Sequence, residues 1–233
     1  MTLEQQKGGH VLSKATIARI TGILFLVVVP VFIVTVVTDS GVDTRVDFFR
    51  ADLRDVADSE TQSFVSAGFG FLMSGLFVAT GAGMYLTFRP YERFLSLLGA
   101  FAFLAAGVSF MAGMVGRLTL TQLAREFGGT SGIEADQIVP AARAVALASE
   151  WSFLAGLGFF GLGLLALGIL IIWRRPLPRW LGWMAAGCGI LIIVGMPTFF
   201  ISVAGSLIGF VWLLITGGLL VWRGTNDAGL TAS

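Results

Sequence analysis

The chain has 233 residues, 56% of them hydrophobic and 12% charged, with a formal net charge of +1. A soluble domain carries about 25% charged residues, so an ordinary water-exposed surface is excluded, and a near-neutral chain offers no basic field for nucleic acid. One cysteine, Cys188, and one histidine, His10, leave no internal disulfide, no zinc site of His/Cys type and no haem held by intramembrane histidines.

Met1 to Lys14 is a polar tail. Lys7, Lys14 and Arg19 precede a first span over residues 20–37. Its apolar run is too long for a signal peptide and is followed by Thr38-Asp39-Ser40-Gly41, with no small-x-small cleavage site, so it reads as a retained anchor. Pro30 removes one helical hydrogen bond and predicts a kink. Asp39 to Ser63 is the most polar loop. Within it Val46, Phe49, Leu53 and Val56 recur at helical spacing, with Asp47, Arg50, Arg54 and Asp58 on other faces. This pattern predicts an amphipathic helix that lies on the membrane surface or caps the bundle.

Ser59 followed by Gln62 reads as a capping box that starts the second span, 64–88. That span carries two stripes of small residues, Ser66-Gly70-Ser74 and Gly75-Ala79-Gly83. Such stripes let a neighbouring backbone come close, within the bundle or between copies. A short turn, Arg89 to Arg93, leads to the third span, 94–116. Its pattern turns amphipathic at Leu120, Leu123 and Phe127 and stops at Gly128-Gly129. A polar loop, Gly128 to Val139, follows, and Pro140 suits the first turn of the returning helix.

The fourth span, 146–173, is rich in glycine and bracketed by Trp151 and Trp173. From Arg93 to Arg174 the chain therefore reads as one long hairpin, both helices projecting beyond the hydrocarbon. Symmetric folding makes the numbers of facing residues add to 267, which sets Arg117 opposite Glu150 near the outer end. These two are the candidate ligand or ion-pair site. The turn Trp173-Arg174-Arg175-Pro176-Leu177-Pro178-Arg179-Trp180 leads to two last spans, 181–198 and 201–222. The uncharged connection Met196 to Phe200 joins them, and Gly205 and Gly209 form a GxxxG pair.

The expected fold is all-α: a polytopic transmembrane bundle of six helices with an amphipathic extracytoplasmic helix in the first loop. The whole chain, 1–233, is one transmembrane domain. Lysine and arginine collect beside one set of turns, so both termini are expected in the cytoplasm. No carboxylate lies mid-span and no histidine lies near a membrane serine, so proton relay, aspartyl protease and serine hydrolase chemistry lack their residues. No catalytic, cofactor-binding or metal-ligating residues are expected. The acidic first loop, interleaved with Arg45, Arg50 and Arg54, reads as a solvated helix face.

Three segments carry a resemblance: the basic entry Lys14-Ala15-Thr16-Ile17-Ala18-Arg19-Ile20-Thr21-Gly22, the glycine- and leucine-rich fourth span, and Leu177-Pro178-Arg179-Trp180-Leu181-Gly182 in the last charged turn. Together they resemble a family of bacterial six-span membrane proteins known as a domain of unknown function, of the 4386 type. The resemblance implies an integral protein of the bacterial inner membrane and brings no activity or site residues. The leading expectation is a non-enzymatic protein that binds a lipid or hydrophobic ligand, or serves as a subunit of a homo- or hetero-oligomeric membrane assembly. The bilayer is its surrounding partner, and nucleic acid is not one. The alternative is a small transporter or channel, for which only serines and threonines such as Ser74, Thr80 and Ser109 are available mid-span to line a path; an enzyme ranks last.

Overall fold

The structure, a computed structural model, describes residues 13–38 and 49–230. These form α1 (Lys14–Val37), α2 (Phe49–Asp58), α3 (Glu60–Phe88), α4 (Arg93–Gly129), α5 (Ile133–Arg174), α6 (Arg179–Gly195) and α7 (Phe199–Leu230). Ser13 caps α1 by accepting from the Thr16 amide at 3.1 Å. Pro30 lies inside α1, which runs through it as one element. Five helices are long and apolar enough to cross a membrane; α6, with 17 residues, is shorter.

Six helices close into a ring. α1 packs on α3 and α7, α3 on α4, α4 on α5, α5 on α6, and α6 on α7. Each neighbour runs antiparallel to the next. The hydroxyls of Thr21 and Thr87 meet at 2.9 Å, joining the start of α1 to the end of α3. The Trp212 indole N–H donates to the Leu181 carbonyl at 2.8 Å, joining the start of α6 to the middle of α7. Up-down order around an even ring puts the starts of α1, α4 and α6 and the ends of α3, α5 and α7 on one side.

α4 has 37 residues and α5 has 42. At ~1.5 Å per residue these are about 55 and 63 Å long, against a hydrocarbon core of about 30 Å. The surplus projects at the far end. The expected register is close: Gly99 meets Leu167, Gly163 meets Phe103, Gly156 meets Phe110 and Gly113 meets Phe153, pairs whose numbers add to 266, while Gly116 meets Ser149, adding to 265. α2 lies on the projecting part of α4, with Phe49, Leu53 and Val56 at 1%, 0% and 5% exposure. It therefore caps the hairpin; Val46 lies outside the described residues.

Three local expectations change. The loop expected over Gly128–Val139 is only residues 130–132, with Gly132 at φ 69° making the turn. Ala135, Ala142 and Ala146 bury against the cap, and Glu134 and Asp136 favour the positive end of α5, so packing and dipole outweigh the polar composition. Pro140 is consequently inside α5 rather than in its first turn. It is exposed, so its missing hydrogen bond falls on the water side of the helix. Ser59 forms no capping box. Its hydroxyl donates back to the Asp55 carbonyl at 2.8 Å, finishing α2, and Gln62 donates to the Thr38 carbonyl at 3.2 Å.

Candidate functional site

Two glycines in α5 decide what fills the ring. Gly156 and Gly163 are seven residues apart, two turns along one face. A Cβ at either would lie 2.6 Å from the Phe110 or Phe103 ring, respectively. Those phenylalanines, also seven apart, enter the space the glycines leave. Phe77 of α3 sits among Phe103, Phe110 and Phe160 at centroid distances of 5.7, 5.2 and 5.6 Å. Phe210 of α7 stacks on Phe160 at 5.1 Å and on Phe32 of α1 at 4.0 Å. Phe77, Phe103, Phe110 and Phe160 have 0% exposure. The middle of the ring is therefore packed with aromatic side chains from five helices. Sequence reading missed this cluster; its one signal was the matching seven-residue spacing of Phe and Gly on helices already paired.

The other glycines mostly serve helix contacts. Gly161 and Gly168 face α6, where a Cβ at 168 would lie 2.5 Å from the Ala186 nitrogen and 2.7 Å from the Gly182 carbonyl oxygen. Gly205 and Gly209, the GxxxG pair, pack on Ile192 and Leu164 of the same chain. On α3, Ser66, Gly70 and Ser74 are buried as one face. The second stripe divides: Gly83 packs on Thr21, while nothing lies within 4 Å of a Cβ at Gly75. Residues eight apart differ by about 80° around a helix of 3.6 residues per turn, so the stripe wraps out of the contact.

Of the three residues expected for a polar path, Ser74 is buried and its hydroxyl donates to the Gly70 carbonyl at 2.8 Å. Ser109 is half-buried. Thr80 is buried, and its hydroxyl, like those of Ser202 and Thr216, has no hydrogen-bond partner among the described residues.

Arg117 and Glu150 stand between two separate apolar cores. One core is the ring interior, with Phe110 as its outermost buried residue of α4; the other is the cap, beginning on α4 at Leu120. Between them α4 and α5 touch closely at Gly113, Gly116 and Ser149, and the Ser149 hydroxyl donates to the Val145 carbonyl at 2.9 Å. Arg117 directly follows Gly116 and Glu150 directly follows Ser149, so both occupy this level. Arg117 is half-buried and Glu150 exposed. Farther out, Arg125 of α4 pairs with Glu60 of α3 at 3.5 Å. The described residues hold no group of three or more His, Cys, Asp or Glu side chains that could bind a metal.

The outside of the ring is apolar, with Phe101, Val108, Val194 and Leu207 more than half exposed. Apolar exposure at this level, on helices able to span a bilayer, defines a multi-pass membrane protein. The chain belongs to the family described as domain of unknown function DUF4386, whose model matches residues 19–224. No curated protein and no solved structure matches the chain.

Proposed function

We propose that the protein acts by binding: a non-enzymatic platform that crosses a bacterial cytoplasmic membrane six times, with both termini in the cytoplasm. It holds a lipid or hydrophobic ligand, or a partner in a membrane assembly, at the junction between ring and cap. The aromatic filling of the ring carries this reading. Conduction needs a hydrated route, and Phe77, Phe103, Phe110 and Phe160 occupy the place where one would run. Arg117 and Glu150 supply the polar contact at the junction, where a guanidinium can reach water and a headgroup together.

Native mass spectrometry from mild detergent tests the reading. The wild type should retain a lipid, small molecule or protein, and Arg117→Ala should lose it while remaining folded. Empty wild-type protein, with solute flux in proteoliposomes, would reject it. Impermeant labelling of cysteines introduced at Ser59 and Ser131 should succeed from the outside; protection of either would reject the orientation.

Transport is the second reading, favoured by the unpartnered hydroxyls of Thr80, Ser202 and Thr216. A buried hydroxyl without a partner costs about 1–3 kcal/mol, and a state that hydrates the ring would relieve that cost. Flux abolished by Thr80→Val and Thr216→Val together would select this reading.

A further inference from the structure

The corner between α5 and α6 gathers positive charge that meets no carboxylate partner among the described residues. α5 ends at Arg174, and Arg175 follows in the left-handed region with φ 56°, its amide donating to the Ile171 carbonyl at 3.0 Å. That cap position normally favours glycine, because a side chain there is strained. α6 begins at Arg179. Arg223 arrives from α7, 47 residues further along, and donates to the Pro176 carbonyl at 2.6 Å. Four guanidinium groups thus share one corner, and the side chains of all four residues are exposed. The segment 151–226 contains no aspartate or glutamate; Asp227 is the first acidic residue beyond it. The other turn on this side differs, since it includes Glu92 and its Arg89 lies over the Tyr85 ring at 5.8 Å.

The corner is also closely packed. Leu177 is 3% exposed and belongs to the ring core, Pro176 is buried, and Pro178 precedes α6. A Cβ at Gly182 would lie 3.0 Å from the Ile172 nitrogen, so the two helices are locked at their ends. Around the arginines stand Trp173, Trp180 and Trp222, exposed by 72%, 54% and 61%. Exposed tryptophans sit at headgroup depth, and arginine binds phosphate oxygens through paired N–H groups. The Arg223 bond to Pro176 uses one of five such donors. Beside the corner, the lipid-facing Trp183 and Ile190 of α6 offer acyl chains a surface.

We infer that Arg174, Arg175, Arg179 and Arg223 form a binding site for the phosphodiester headgroup of an anionic phospholipid. The site lies at the opposite end of the ring from the cap and stands apart from the binding role proposed there. The test uses the full chain in mild detergent, with phosphatidylglycerol and phosphatidylcholine as probes. The wild type should retain phosphatidylglycerol preferentially. Arg175→Gly removes a charge where the backbone already suits glycine, so the fold should persist and affinity should fall about fivefold. Adding Arg179→Gln should lower it by about fivefold again. Lys14→Gln with Arg93→Gln makes the same charge change at the same end but outside the corner, and should leave retention unchanged. Equal losses in both double variants, no preference for the anionic lipid, or full displacement by millimolar inorganic phosphate would each overturn the site.

Discussion

The ring and the cap are built from the same kind of helix but held by different means. In the ring, contact depends on glycine: Gly168 admits the α6 backbone, and Gly156 and Gly163 admit phenylalanine rings. In the cap, Phe49, Leu53 and Val56 meet Leu120, Ala124 and Phe127 with no such close approach by glycine: nothing lies within 4 Å of a Cβ at Gly129, and at Gly128 the Ala57 Cβ is 3.9 Å away. The solvents explain the difference. Lipid is as apolar as the ring interior, so helices there associate through close van der Waals packing. The outer face of the cap carries exposed Arg54, Asp55 and Asp58, so burial of its apolar stripe away from water suffices to hold it.

Phe160→Ala should have the largest effect. Its ring meets Phe77, Phe103 and Phe210, and its loss should cost about 3–5 kcal/mol, read as a fall in the detergent-denaturation midpoint of the ring. Leu53→Ala should come next, removing about 3 kcal/mol from the docking of α2. Hydrogen exchange should then rise in residues 49–58 while the ring midpoint stays put. If both regions unfold together, the two cores are not independent and the contrast fails.

Gly168→Ala should cost about 1–3 kcal/mol by overpacking, because the atoms it meets are backbone. Gly75→Ala, on the open side of α3, should leave the midpoint unchanged in lipid. Equal effects at the two glycines would show that glycine serves helix flexibility here rather than close approach. The smallest change belongs to Glu60→Gln. The pair with Arg125 is exposed, with side chains 41% and 77% accessible, so about 0.5 kcal/mol or less should be lost, and less again at high salt.

Much of this contrast was legible along the chain. The spacing of Phe49, Leu53 and Val56 marked the buried face of α2. Two long apolar runs that pair as neighbours fixed the hairpin register to within two residues, because antiparallel helices of known rise leave little freedom once a partner is assigned. The close approach of Gly116 to Ser149, the residues just before Arg117 and Glu150, lies within two residues of that register. The extent of the outer turn was not legible, since Gly128-Gly129 and Pro140 are local signals that burial of Ala135, Ala142 and Ala146 overruled. The Ser59 capping box failed for a related reason: α2 ends so close to α3 that the hydroxyl is taken by the helix before it.

By itself, then, the sequence determined where the helices run and which of their faces are apolar, because the period of a helix is intrinsic to the chain. Tertiary structure alone decided that six helices close into a ring, that rings from five of them meet at its centre, and that Arg223 joins the arginines of the α5–α6 corner. Those outcomes depend on which faces meet, and an apolar face in a membrane can be satisfied by lipid or by any helix that fits its shape.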